Sequence, residues 1–407
     1  MFFLSWSPFA QATAVAWIGL IALSWAVKGR FYATFSAIMF GVHGLITAAL
    51  WPTFQGLGLG AVAIWLQAAT VVHYASLNFP QLRSGPWRSL VTWPGLWWGA
   101  ASFLAFPWAI VASADWTPYA LWLPYLVGLI GLVQSLRSRS DTLDLVLDGE
   151  RVETLGRHAH GKARSVRPLR IVQITDPHLG PFMSVERLRG VAQRATEANP
   201  DLVLLTGDYL TMESQGTPGC LAEALEPLRG LAEAGKVYAC MGNHDHEAPE
   251  MVANELASIG IRLLIDEAEL VETEFGPVQI VGMDFRWRGR ESHGLEIAER
   301  WPRVAGALRI VLLHDPGAFA SIPDGYGDLV LSGHTHGGQV GLVSLGLPWT
   351  AVSLLSSVPD HGFWALGRNR LYVNRAAGHY GFPLRVGVPS EEGVLQIHAG
   401  EALAPVV

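Results

Sequence analysis

A stretch of about 20 apolar residues can cross a bilayer only as a helix. The first 140 residues of this chain contain five stretches that approach that length, at roughly 5–27, 31–50, 55–75, 91–113 and 117–136. Here the chain holds six basic residues (Lys28, Arg30, Arg83, Arg88, Arg137 and Arg139), one acidic residue (Asp115) and 12 of the 16 tryptophans. Trp51, Trp87, Trp93 and Trp116 fall near the proposed helix ends, where an aromatic belt lies. Pro52, Pro94, Pro107, Pro118 and Pro124 blur those ends, which neighbouring helices tolerate by satisfying the freed carbonyls. The first stretch has the length of a secretory signal. It lacks a basic start and more apolar segments follow it, so it is expected to stay as an anchor.

Five crossings with the N-terminus outside put all six basic residues on the cytoplasmic side. Residues 1–140 are therefore expected to be a transmembrane region of about five spans, with residues 141–407 a cytoplasmic domain. The turn at 28–30 is the weak point, because losing one span moves the domain to the other side. No ionisable residue is expected inside a span. His73, near a helix end, reads as a solvent-edge or satisfied polar group, and Ser24, Gln67 and Thr70 are the weak polar candidates within the stretches.

Beyond residue 140 there are 22 basic and 34 acidic residues, a net charge of −12. Such a domain does not draw nucleic acid or an anionic lipid surface by long-range attraction. The two cysteines, Cys220 and Cys240, imply neither a disulfide framework nor a thiolate metal site. They read as small apolar core residues.

The segment 142–153 alternates, with Gly149 as a turn, and reads as a strand leading out of the membrane. From 169 onward short apolar runs recur with helical segments between them, the signature of buried α/β strands. Strands are expected at Leu169–Thr175, Leu202–Thr206, Lys236–Met241, Val278–Gly282, Arg309–Leu313, Asp328–Ser332 and Leu371–Asn374. Helices are expected at 184–198, 219–234, 248–259 and 294–304. The run 339–366, rich in Gly, Ser, Leu and Pro, reads as a loop or hairpin near the site, with Leu347, Leu354 and Leu355 open to exposure.

Five of these strands run into metal-ligand residues: Asp176-Pro177-His178, Gly207-Asp208, Gly242-Asn243-His244-Asp245-His246, His314-Asp315, and Gly333-His334-Thr335-His336-Gly337-Gly338-Gln339. Residues outside the carboxyl ends of strands in an open α/β sheet gather in one crevice. Carboxylate oxygens with imidazole nitrogens suit Mn²⁺, Fe²⁺ or Zn²⁺, whereas a Mg²⁺ site uses mainly oxygen. Two such ions can hold the attacking and leaving oxygens of a phosphoryl group. No Walker loop or nucleophile elbow competes with this set.

The ordered set resembles the calcineurin-like metallophosphoesterase superfamily, in a form similar to its membrane-associated bacterial branch, with Tyr372-Val373-Asn374-Arg375 as a further point of likeness. The resemblance covers about 168–395 and implies a sandwich of two mixed β-sheets flanked by helices. It assigns Asp176, His178 and His336 to the first metal and Asn243, His314 and His334 to the second, with Asp208 bridging. It makes His244 a proton donor or charge stabiliser at the leaving-group oxygen, paired with Asp208 or Asp245. It also implies phosphoester hydrolysis by a hydroxide activated between two divalent ions. Pro177 departs from the usual small or apolar residue and constrains Asp176.

Several residues remain open. His246 reads as a solvent, supporting or pocket residue. Arg375 reads equally as a phosphate clamp or a core-edge ion pair, and His379 is undecided. Arg286-Trp287-Arg288-Gly289-Arg290 reads as a solvated loop or a headgroup-steering patch. The helices point to a lipid-linked or membrane-proximal substrate at a bacterial inner membrane, with the bilayer as a partner and no nucleic acid or protein partner expected. The alternatives are an inactive membrane sensor or scaffold on the same fold, and a regulator of a transport-like membrane block.

Overall fold

The computed structural model describes residues 6–161 and 167–399; residues 1–5, 162–166 and 400–407, including the outer ends of both expected regions, lie outside the described residues. The chain divides into two compact units. One is Met1–Ser135 with Met212–Thr217 and Tyr380–Val386; the other is Leu136–Thr211, Pro218–His379 and Gly387–Val407.

In the first unit a helix lies over each of the five apolar stretches. Pro8–Lys28 and Arg30–Gly56 are each long and apolar enough to cross a bilayer, and they indicate membrane anchoring. Gly85–Leu104 and Phe106–Ser113 pass the same test only together and are bent by 62° at their junction. Gly60–Ser76 and Trp122–Ser135 are shorter. Aromatic rings fill much of the interior, as in the stacked pairs Phe9–Trp51 and Trp17–Phe40, with ring centroids 4.2 and 4.3 Å apart. Gly95 allows two helices to approach closely, because a Cβ there would lie 2.8 Å from the carbonyl oxygen of Ala69.

Hydroxyls in these helices bond to their own backbone. Thr47 donates to the His43 carbonyl at 3.0 Å, Thr70 to Leu66 at 2.8 Å and Ser135 to Gly131 at 2.8 Å. Gln67 accepts a 2.8 Å bond from the Trp98 indole.

Two sequence expectations are corrected here. His73 is buried rather than at a solvent edge, and its Nδ1 has no partner among the described residues. It continues the inward stripe of Leu66 and Thr70, one turn apart on the same face. His43, within Arg30–Gly56, is a buried ionisable residue inside an apolar stretch where none was expected.

The second unit is a sandwich of two mixed sheets. The first sheet, in spatial order, is β1 (Ser140–Leu147), β13 (Glu392–Ala399), β3 (Leu169–Ile174), β4 (Leu202–Leu205), β5 (Val237–Ala239) and β6 (Arg262–Leu263). The second is β2 (Val152–Arg157), β11 (Gly362–Gly367), β12 (Asn369–Val373), β10 (Leu329–Ser332), β9 (Leu308–Leu313), β8 (Gly276–Met283) and β7 (Glu267–Thr273). Strands β3 to β6 are parallel, as are β8, β9, β10 and β12. Alternation fixes the faces. Leu169 and Ile171 of β3, Leu202 and Leu204 of β4, and Ile310 and Leu312 of β9 meet in the shared core between the sheets. Their neighbours Val311 and Leu313 turn outward, in a cluster with Ile297 and Phe319 from the segments over the second sheet.

The segment 142–153 is not one strand: β1 and β2 belong to opposite sheets, parted at Gly149 with φ 69°. The helix expected at 219–234 is divided into Cys220–Leu225 and Arg229–Glu233, with Pro227 between them. The helix expected at 294–304 occupies Arg290–Arg300, beginning after Gly289 and stopping ahead of Pro302. Both cysteines are buried, as core residues.

Candidate metal centre

Strands β3, β4, β5, β9 and β10 run parallel within their sheets, and each of the five motifs begins within four residues of a strand's carboxyl end. The structure brings Asp176, His178 and His336 into one group and Asp208, His314 and His334 into another. Within each group the donor atoms lie within 4.8 Å of one another. His178 Nε2 is 3.2 Å from His336 Nε2, and His314 Nε2 is 3.2 Å from His334 Nδ1. Asp208 reaches both groups: its Oδ2 is 3.2 Å from His314 Nε2 and 3.6 Å from His178 Nε2.

The turns that carry these residues are held by buried polar contacts. Asp245 accepts from the backbone N–H groups of Asp208, Tyr209 and Gly242 at 2.7–2.8 Å, fixing two motifs against each other. The His334 N–H donates to Asp176 at 2.9 Å, joining the first motif to the last. His314 Nδ1 sits 2.7 Å from the Thr206 carbonyl, which sets that nitrogen as the donor and leaves Nε2 as the basic atom facing Asp208. A Cβ on Gly242 would lie 2.2 Å from Asp208 Oδ1, and one on Gly333 would lie 2.1 Å from Asp176 Oδ2. Only glycine fits at either place.

Five of the six clustered residues have left-handed backbones: Asp176 at φ 48°, His178 at 46°, Asp208 at 58°, His334 at 68° and His336 at 52°. Non-glycine residues rarely adopt this region, although Asp and His do so more readily than most. Each costs about 1–3 kcal/mol, and such strain gathers at functional sites.

The residues fit a pair of divalent ions. Burial pushes His178 down to about 3, which keeps its imidazole neutral. Asp208 and Asp176 are held well below the usual carboxylate range: burial opposes this, but the surrounding imidazoles prevail. Burial likewise opposes charge on His314, yet Asp208, Asp176 and the Thr206 carbonyl push it up to about 10. The crevice therefore favours positive charge. The Asn243 Oδ1 is a buried oxygen with no hydrogen-bond partner among the described residues, as an oxygen directed at a cation would be.

Other sequence readings fall out differently. His244 was expected to pair with Asp208 or Asp245; its backbone N–H donates to Asp208 at 2.8 Å, and its Nδ1 lies 2.8 Å from Glu247. Glu247 was missed, although it is three residues on, one turn away, in Asp245–Glu247. His246 pairs with Asp284 at 2.9 Å. Arg375 is bonded to Asp141 and lies 3.5 Å from Glu391, so it is an ion-pair residue. His379 is buried, with its ring centroid 6.2 Å from that of His336. In the basic-aromatic run Arg286 faces Asp266 and Arg290 is bonded to Asp315, while Arg288 is exposed. Phe285, unremarked in the sequence, has its ring centroid 6.3 and 6.2 Å from those of His314 and His334. Only its place after β8 hinted at this.

The calcineurin-like phosphoesterase family model matches residues 169–338. The phosphodiesterase YaeI of Escherichia coli is 30% identical over 234 residues, which are 56% of this chain and 82% of YaeI. The chain belongs to the calcineurin-like phosphoesterases. Within this family an uncharacterized metallophosphoesterase of Helicobacter pylori is 26% identical over 236 residues, 57% of this chain and 60% of that protein. A zebrafish (Danio rerio) transmembrane protein with a metallophosphoesterase domain is 30% identical over 239 residues, 56% of this chain and 52% of its own. The chain thus spans between about half and four-fifths of these relatives' lengths. With both clusters intact, this phosphoesterase is a metal-dependent hydrolase with a binuclear centre.

Proposed function

We propose that this enzyme hydrolyses a phosphodiester carried by a lipid-linked or membrane-proximal molecule. The observation that carries the reading is the position of Asp208, whose carboxylate is within 3.6 Å of imidazoles from both clusters. Asp176, His178 and His336 would hold one ion and Asn243, His314 and His334 the other, with the Asp208 carboxylate available to both. When bound, the ions supply Lewis-acid chemistry to a phosphoryl oxygen and to water. Manganese suits this donor set, as do iron and zinc.

The chain's own residues do the rest. Asp245 and the Thr206 carbonyl orient Asp208 and His314. His244 has its Nδ1 2.8 Å from Glu247, and its ring donates a proton to the departing oxygen. Burial opposes charge on His244, but Glu247 and Asp208 raise its pKa and favour the protonated form. The diester preference is supported by the name of the Escherichia coli relative. The membrane-proximal substrate is supported by the apolar helices. We place the transmembrane region at 1–140 and the catalytic domain at 141–407, with about five spans in a bacterial inner membrane and the catalytic domain cytoplasmic.

The test is hydrolysis of paired generic monoester and diester substrates by manganese-reconstituted, detergent-solubilised protein, with Asp208→Asn as control. Diester turnover that vanishes in the variant is expected. Equal turnover by wild type and variant overturns the assignment of the site. Protease accessibility after residue 140 in inside-out and right-side-out vesicles reads the orientation. Cleavage from the outer face contradicts five spans.

A further inference from the structure

The run directly after the last histidine motif has no role in the chemistry above. Residues 340–359 carry no charged side chain. Twelve large apolar side chains are exposed in the sandwich unit among the described residues, and seven of them fall in the 16 residues 340–355. Leu345, Trp349, Leu354 and Leu355 are 74, 55, 75 and 87% exposed. Apolar exposure concentrated in one run of the chain points to an interaction site.

The run is ordered rather than loose. The Leu342 N–H donates to the Trp349 carbonyl at 2.9 Å, and the Ala351 N–H to Val340 at 2.7 Å. Thr350 and Ser353 form a reciprocal capping box at the start of Ala351–Leu355. The Thr350 hydroxyl also donates to the fully buried Asp360 carboxylate. On the other side Val340 bridges to Gly387, and the Ser344 N–H donates to the Gly387 carbonyl at 2.9 Å. The backbone is thus largely satisfied internally. That is the condition for placing irregular chain in an apolar phase at low cost.

We infer that 340–355 is a second membrane contact, a rigid apolar platform that inserts into the interfacial layer of the bilayer. Three observations select lipid as the occupant. The same chain carries two helices able to cross a bilayer, so that surface is held at high effective concentration. The run itself carries no charged side chain, and it combines leucines with a tryptophan, the residues of interfacial insertion. The chain is also continuous with the membrane unit: Gly387, which holds the run, directly follows Tyr380–Val386, a segment of the apolar helical unit. Three residues separate the clustered His336 from Val340, so insertion fixes the metal centre at the lipid headgroup layer. The inference is independent of the proposed hydrolysis.

The test uses full-length protein in nanodiscs with an environment-sensitive fluorophore on Leu355→Cys. The native cysteines are buried, so labelling is selective, and unlabelled-site background is read from wild type. Leu345→Cys serves as a second position, and Glu272→Cys, on the exposed face of β7, as an aqueous reference. Blue-shifted emission that nitroxide-bearing lipids quench at Leu355 or Leu345, but not at Glu272, is the expected result. Emission and quenching equal to the Glu272 reference at both positions overturn the inference. Blue-shifted emission that nitroxide lipids do not quench also overturns it, and assigns the platform to a protein, such as a second copy of the chain.

Discussion

The two units differ in how they satisfy their buried hydroxyls and charged groups. In the helical unit, hydroxyls return to carbonyls three or four residues back, as Thr47, Thr70 and Ser135 do. In the sandwich, the partners come from far along the chain. Gln279 meets Arg309, His314 meets Thr206, and His334 meets Asp176. A helix in lipid must satisfy itself, because no water is available to a group waiting for a distant partner. A sandwich that folds in water can delay satisfaction until its strands assemble. Long-range polar contacts are therefore available to build a site in one unit and scarce in the other.

The sharpest way to break this contrast is at Asp208, which depends on partners from three motifs. Asp208→Asn is expected to lower turnover by roughly 10³-fold, the upper range for removing one electrostatic element. Metal content by elemental analysis should fall with it, and full metal occupancy would refute a shared carboxylate. Next is Gln279→Leu, which leaves the buried Arg309 guanidinium without its acceptor. A loss of about 3 kcal/mol is expected in denaturant unfolding of the sandwich. A loss under about 1 kcal/mol would show that the cation–π contact of Arg309 with Tyr326 suffices.

His244 sharpens the comparison, because it is a sandwich residue with a local partner. His244→Ala should retain both metals and lower kcat by about 10²-fold, the lower range for general acid catalysis. Loss of metal instead would make it a ligand. The smallest effect is expected at Thr70→Val in the helical unit, about 0.6 kcal/mol in detergent unfolding. A loss as large as that for Gln279→Leu would erase the distinction, and would assign the weight to the 3.1 Å bond between Thr70 and the Gly95 carbonyl.

The apolar runs and the Asp and His residues after them made the parallel strands and the crevice legible in the sequence. Short apolar strands announce themselves, and ligands at their ends share a location by topology. What stayed hidden had no such signal. β7 (Glu267–Thr273) is a half-exposed edge strand with three glutamates and no apolar run, and β13 gains its place only by pairing between β1 and β3. His43 and His73 read as ordinary polar residues until packing buried them. Glu247 carries no motif of its own. The local partner of His244 depends on a short helical turn rather than on a pattern of residue types.

The five left-handed positions at the metal centre have a further consequence for how such a site comes to exist. Asp and His are among the few non-glycine residues that accept this backbone, so the residues suited to holding ions are also those the turns can tolerate. The strain is met when the chain folds, through the bonds of Asp245 and Asp176 to neighbouring turns. An arriving ion then finds its donors gathered and need not gather them. Affinity is thus bought with fold stability, and a metal-free chain is expected to keep the shape of the centre while melting at lower temperature than the loaded one.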